Sequence, residues 1–304
     1  MKKQACTLAV VQWKLSMEDY SSVEAFAEKL GATMEEIRTK SRENLLVAFP
    51  EDLVTFGIFT ELKAAGIEED SIQEALKKYV KKKFVRLLPH RVKMGTWLGA
   101  VFESSKKLME EYFEVFREAA EKHNAYVISG SGLVADGKDV FNESRGFGPG
   151  DAKIIQRKVN LIELEGEKGL GLTPASLAQV GLWSTELGRI GIAICYDGFF
   201  AEIREKLDGA DIIVQPSANP GPWTKEQQED WLNGAYQMVQ TATRVVLNPM
   251  LTGKALGLEF YGQSSILVRG EERGLGYLNT DPKPHFVQVA KSPDEGDVLI
   301  WDLD

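Results

Sequence analysis

Apolar positions along the chain fall into two patterns, short unbroken runs and stripes spaced three or four residues apart. Residues 7–13 and 45–50 are runs of the first kind, and the second reads as a strand buried on both faces. Between them, 22–42 carries Val23, Phe26, Ala27, Leu30, Met34 and Ile37 at helical spacing. Strand, helix, strand at this separation predicts an α/β sandwich. A long helix is expected over 97–123, with Phe102, Leu108, Met109, Tyr112, Phe113 and Phe116 as its apolar stripe. Short strands are expected at 126–130, 140–146, 153–159, 180–183, 189–194, 211–215, 245–248, 264–268, 286–290 and 298–301. Helices are expected at about 198–207 and 226–243, and 166–173 reads as a Gly-rich loop.

Residues 52–96 break this rhythm. Lys77, Lys78, Lys81, Lys82 and Lys83 crowd among Ile72, Leu76, Tyr79 and Val80, which predicts a helix with a solvated lysine face. No repeat, low-complexity tract or Pro/Ser-rich linker interrupts the chain, so residues 1–304 are expected to form one domain with an extended insertion around 52–95.

Composition narrows the function classes. With 43% apolar and 27% charged residues, disorder throughout is excluded. Thirty-six basic against forty-five acidic residues give a net charge of −9, which argues against a nucleic-acid partner. Cys6 and Cys195 are too few for a disulfide scaffold and suit a reducing compartment. His90, His123 and His285 lie far apart, and neither HExxH nor CxxC occurs, so no metal site is expected. The opening is basic and then apolar, but its short run is broken by Gln12, and no stretch nears the roughly 18–20 apolar residues of a membrane span. A cytoplasmic protein without membrane contact is the expectation. Gly132 to Lys138 has the spacing of a phosphate-binding loop, yet Asp139 follows where Ser or Thr is needed. A hairpin turn at Asp136-Gly137 is the better reading.

Three residues at predicted strand ends carry the candidate chemistry. Cys195 ends the run Ile190-Gly-Ile-Ala-Ile194, where a helix is expected to begin. A cysteine in such a run is commonly inert core, but at a strand-to-helix elbow unpaired backbone N–H groups and the helix dipole favour the nucleophilic thiolate. Glu51 closes Leu46-Val-Ala-Phe-Pro50, and Lys158 follows Ile154-Ile-Gln-Arg157. Each alone reads as a solvated loop or surface residue. Together they set an acid, a base and a nucleophile where α/β folds gather their active sites.

Phe49-Pro50-Glu51, Arg157-Lys158-Val-Asn-Leu161 and Ile194-Cys195-Tyr196-Asp197 resemble, in order, the three motifs of the nitrilase, or carbon–nitrogen hydrolase, superfamily. Supporting similarities run through Ala9 to Gln12, Gly209 to Ser217, Val245 to Asn248 and Tyr261 to Ser264. The resemblance implies a four-layer αββα sandwich, a homodimer or higher homo-oligomer, and a Glu-Lys-Cys triad of Glu51, Lys158 and Cys195. It also implies a second acidic residue seven or eight positions after the lysine. Glu165 is carried over there, with Glu163 and Glu167 as neighbours in competition. Departures are the absence of Pro-Glu after the nucleophile motif, where Gly198-Phe-Phe-Ala201-Glu202 stands, and Thr241-Ala-Thr243 in place of a Glu-Asn pair.

On that resemblance, Cys195 attacks a carbonyl, Glu51 moves the proton, and Lys158 with the backbone N–H of Tyr196 holds the oxyanion. The product is a thioester that water releases as an acid. No cofactor is implied, and the partners are a small amide and water. Cys195-Tyr-Asp-Gly198 favours amides over nitriles or carbamoyl compounds, with acyl transfer on the same triad and a non-catalytic scaffold as alternatives. Phe199, Trp223, Phe56 and Trp97 are candidate pocket walls.

Overall fold

The architecture follows from strands whose two faces are both apolar. The computed structural model describes residues 5–304, and the basic start, Lys2 and Lys3, lies outside them. In the strand Cys6–Leu15, Ala9, Val11, Trp13 and Leu15 enter one hydrophobic core, while Cys6, Leu8 and Val10 enter a second. The strand Leu45–Ala48 divides alike, Leu45 and Val47 to the first core, Leu46 and Ala48 to the second. Side chains alternate across a strand, so an unbroken apolar run means cover on both faces.

Two sheets result. Ten strands form the first, its main ladder ordered Ser217–Ala218, Met250–Ala255, Cys6–Leu15, Leu45–Ala48, Tyr126–Ile128, Asp139–Phe147 and Gly132–Asp136. Asp297–Leu303 runs antiparallel along Cys6–Leu15, from Cys6 opposite Leu303 to Gln12 opposite Asp297. Lys153–Arg157 pairs antiparallel with Asp139–Phe147. The second sheet has six strands, ordered Phe286–Val289, Ser265–Val268, Val245–Asn248, Ile212–Val214, Gly188–Ile192 and Leu182–Thr185.

Helices cover the outer faces. Val23–Thr39 is capped by the Ser22 hydroxyl, which accepts the Ala25 N–H at 3.2 Å, and it buries Phe26, Leu30, Met34 and Ile37. Lys106–Lys122 buries Met109, Tyr112, Phe113 and Phe116 beside it. Truncating one such residue, Leu30→Ala for example, costs about 2–5 kcal/mol. Ala201–Lys206 and Ala235–Thr241 pack Ile203, Met238 and Val239 on the second sheet. The order helix, sheet, sheet, helix is the αββα sandwich that the resemblance implies.

Boundaries differ from the sequence expectation where local geometry intervenes. The helix expected over 97–123 is two, Trp97–Ser104 and Lys106–Lys122, broken at Ser105 (φ −99°, ψ 8°). The helix expected over 226–243 is Lys225–Trp231 and Ala235–Thr241, broken at Gly234 (φ −90°, ψ −109°). The lysine-rich insertion is three helices, Ile58–Ala64, Ile72–Lys82 and Phe84–Met94. Lys77 pairs with Glu74 at 2.6 Å and Lys78 with Glu69 on a solvated face. Asp136 opposes Asp139 across the hairpin, with Gly137 at φ 64°. Among the described residues no helix is long and apolar enough to cross a membrane.

Candidate active site

The Glu51 turn is held from behind by rings. Phe49 stacks edge-on against Phe116 at 5.2 Å, and Phe116 against Phe26 at 5.7 Å, so the residue two before Glu51 is fixed in the outer core. In front, the Asp52 N–H donates to Ser131 Oγ at 3.1 Å and the Val54 N–H to the Ser131 carbonyl at 3.0 Å. Gly130, at φ 74°, is required here because a Cβ would fall 1.8 Å from the Pro50 carbonyl oxygen.

Lys158 continues the ladder of Lys153–Arg157, its N–H donating to the Asn142 carbonyl at 2.9 Å. Neighbouring basic residues therefore face opposite ways. Arg157 reaches outward to Glu143 at 2.8 Å and Asp136 at 2.9 Å, while Lys158 is 1% exposed and points inward. Its Nζ donates to Glu51 Oε1 at 2.8 Å and Glu165 Oε1 at 2.9 Å. Glu165 is buried, whereas Glu163 and Glu167 are exposed.

Cys195 sits at φ 47°, an uncommon conformation for a residue with a Cβ, at the start of the short 3₁₀ turn Cys195–Phe199. The turn is locked by the Cys195 N–H on the Pro216 carbonyl and by Gln215 Nε2 on the Cys195 carbonyl, both 2.8 Å. Gly198 makes room for that amide, since a Cβ would meet Gln215 Nε2 at 2.5 Å. Asp197 ties the turn to the lysine loop, accepting the Asn160 N–H at 2.7 Å and the Val159 N–H at 3.2 Å.

Two residues that sequence reasoning missed join these parts. Asn142 Nδ2 donates to Glu51 Oε1 at 2.9 Å and to Glu165 Oε1 at 3.0 Å, bridging the same two carboxylates as Lys158. The Ala218 N–H donates to Glu51 Oε2 at 3.0 Å, and the Cys195 thiol donates to the Ala218 carbonyl at 3.9 Å. The two peptide groups flanking the Ala218 Cα thus register the carboxylate against the sulfur. A buried Asn inside an otherwise mixed strand was the only sequence signal for the first, and a backbone contact leaves none for the second.

Electrostatics correct one expectation. Burial pushes the Cys195 thiol well above its ordinary range, Glu51 adds to this, and Lys158 opposes it. Burial thus opposes the thiolate that the backbone dipoles of the elbow favour. Burial also raises Glu51, against the pull of Lys158. Burial works against charge on Lys158, but Glu51, Cys195 and Glu165 around it hold its ammonium well above the usual lysine range. Burial, with Glu51 and Glu165 beside it, brings Asp52 up to about 7. Asp197 is brought up to about 6 by burial, against the Asn160 and Val159 donors. The Tyr196 N–H, next after the sulfur, has no acceptor among the described residues.

A cavity of about 250 Å³ opens over Cys195, Glu51, Lys158 and Glu165, with Phe56 on its wall. Phe199 lines an adjoining depression that shares Ile162, Cys195, Ala218 and Pro220 with this cavity. Trp223 is elsewhere. It packs on Trp231 at 5.6 Å and Tyr277 at 5.4 Å with its indole N–H on Gln263, so this expected wall is core packing. Trp97 stacks on Phe84 at 5.4 Å away from the cavity. No group of three or more His, Cys, Asp or Glu able to hold a metal ion occurs among the described residues.

The carbon–nitrogen hydrolase family profile matches residues 7–267. The chain belongs to that family. It is 27% identical over 141 residues to omega-amidase NIT2 of Danio rerio, covering 44% of this chain and 51% of that protein. It is 33% identical over 109 residues to the probable hydrolase YhcX of Bacillus subtilis, covering 35% and 21%. The chain thus spans about half, or less, of the length of the curated relatives it matches. Among solved structures, a carbon–nitrogen hydrolase from Helicobacter pylori G27 superposes with TM-score 0.65 at 18% identity, over 99% of this chain and 90% of that one. A mutant amidase from Nesterenkonia sp. AN1 in complex with butyramide gives 0.60 at 15%, over 100% and 92%. At these identities the structural likeness speaks to the fold of the chain alone.

Proposed function

We propose that this hydrolase cleaves the C–N bond of a small linear amide through a thioester on Cys195. The observation that carries the reading is the shared residue Ala218. It holds Glu51 by its N–H and the thiol by its carbonyl, at the floor of a cavity that Lys158 also reaches.

Because burial disfavours the thiolate, attack and proton transfer go together. The Cys195 sulfur bonds to the amide carbon as its proton passes to Glu51. The oxyanion accepts from Lys158 Nζ and the Tyr196 N–H. Glu51 returns the proton to the leaving nitrogen, the C–N bond breaks, and ammonia or an amine departs. Glu51 then takes a proton from water, whose oxygen attacks the thioester, and the sulfur leaves with its proton restored. Lys158 stays charged throughout, because Glu165 and Asn142 complete a cluster in which each carboxylate meets three donors, Lys158 and Asn142 with the Ala218 N–H on Glu51 and the Ile162 N–H on Glu165.

The test is rapid quenching of the enzyme with a simple amide, followed by mass spectrometry of the Cys195 peptide alongside ammonia release. An acyl adduct on Cys195, and neither adduct nor ammonia from Cys195→Ala, is the expected result. Turnover by Cys195→Ala would refute it. The depression of about 390 Å³ beyond Cys195, bordered by Asn219 and Trp231, gives a specific reason to consider an amine acceptor instead of water. Product analysis with hydroxylamine in the same assay decides between hydrolysis and acyl transfer.

A further inference from the structure

The insertion does not merely decorate the surface. Two of its helices, and the helix that comes after the insertion, turn apolar side chains into the cavity above Cys195: Phe59 from Ile58–Ala64, Ile72 and Leu76 from Ile72–Lys82, and Leu98 and Phe102 from Trp97–Ser104. The two pairs are each spaced i, i+4, the separation that brings side chains onto one helix face. At the mouth, on the loop that carries Glu165, Leu164 is 53% exposed and Leu170 37% exposed, and both line the same cavity. Large apolar side chains left in water at a cavity mouth mark a binding surface more than a packing one.

The charge inventory is equally one-sided. Among the described residues lining the cavity the only cation is Lys158, already engaged by two carboxylates, while Glu51, Asp52 and Glu165 are acidic. The insertion lysines face away, Lys78, Lys81 and Lys82 bordering a different depression. A substrate carboxylate entering here would be buried without a partner beside three acidic groups, which is strongly unfavourable. An uncharged hydrocarbon chain would displace water from apolar walls instead.

From this we infer that the cavity takes the acyl chain of an uncharged aliphatic amide, and that the three helices set how long a chain fits. The inference rests on the hydrolase reading above and adds the substrate class. At about 250 Å³ the space lies just under the roughly 300–1,000 Å³ of sites for drug-sized ligands, so a short to medium chain is the expected occupant.

The experiment has a binding arm and a turnover arm. Straight-chain amides from acetamide to octanamide are titrated calorimetrically into Cys195→Ala, together with ω-carboxylated amides of matching length. The same series is assayed for ammonia release with the unaltered enzyme. Affinity and kcat/KM are expected to rise about three- to fourfold per methylene until the cavity is full. The ionised counterparts should fall at least about a hundredfold below their uncharged isosteres. In Leu76→Trp the optimum should move to shorter chains, and in Phe102→Ala to longer ones. Turnover without chain-length dependence, or with the carboxylated amides preferred, overturns the inference and leaves the hydrolase reading standing. Binding that climbs with chain length in the absence of any turnover supports the inference about the cavity and refutes the reaction.

Discussion

Replacing Asn142 by Leu removes one amide group and, with it, two donors to buried carboxylates, at 2.9 Å to Glu51 and 3.0 Å to Glu165. The two side chains are close in size, so the perturbation is chiefly electrical. A hydrogen bond to a charged group contributes about 1.5–3 kcal/mol. The bond to Glu51 favours its ionised form, the form that takes the thiol proton. Losing it raises the proton affinity of a carboxyl that burial has already raised. Where Glu51 is largely protonated, kcat/KM should therefore drop about 10- to 100-fold, the factor that 1.5–3 kcal/mol corresponds to. As pH rises and Glu51 ionises in the variant too, the deficit should shrink. The assay is kcat/KM for one amide across pH 5 to 9, with the acid limb of the profile as the readout and circular dichroism to confirm folding. A loss of equal size at every pH would make Asn142 a packing residue. An unmoved acid limb would show that its amide does not bear on the base.

Lys158→Met strips the cation from between Glu51 and Glu165, leaving two buried carboxylates unpaired, so stability should fall by about 3–5 kcal/mol and kcat far more than KM. The destabilisation should be smaller at pH 5 than at pH 8, because the stranded carboxyls can take up protons, and equal melting shifts at both would contradict the pairing. Asp52→Asn keeps the acceptor for the Thr55 hydroxyl, at 2.8 Å, and tolerates the φ of 66°, but cannot ionise. The folded-state value of about 7 stands above the ordinary aspartate range, so this group's contribution to stability is full below about pH 4 and is lost as pH rises to about 7. The wild type should thus lose on the order of 3–4 kcal/mol across that window that the variant retains, measured by urea unfolding at pH 4.5 and 8.

What could be read from the sequence was whatever a strand imposes. Runs such as 45–50 and 190–194 announce burial on both faces, and a strand must end at a sheet edge, so Glu51, Lys158 and Cys195 could be set at strand ends before any coordinates. Within the lysine segment, period two also separates Lys158 from Arg157 once Asn142 is known to stand beside it. The broken helices were less legible. Ser105 and Gly234 leave the surrounding three-to-four spacing intact, because a single non-helical residue barely rotates the stripe. The strands Met250–Ala255 and Leu258–Phe260 went unforeseen, since Gly253 and the polar positions around it weaken a run already short.

The resting state of the thiol was illegible for a different reason. Position at an elbow reports the backbone dipoles, which favour thiolate, but the outcome depends on which charges burial brings within reach. Glu51 lies 144 positions earlier in the chain, and its carboxylate disfavours a second negative charge beside it. The same blindness covers the insertion. An i, i+4 pair such as Ile72 and Leu76, or Leu98 and Phe102, looks alike in sequence whether it faces a core or a cavity, because both exclude water from an apolar stripe. Ile72, Leu76 and Leu98 keep partial exposure while Phe102 is buried, so only the cavity they share distinguishes the two. Substrate choice in this protein is thus written in residues whose pattern is that of ordinary packing, while the chemistry is written in residues that break it.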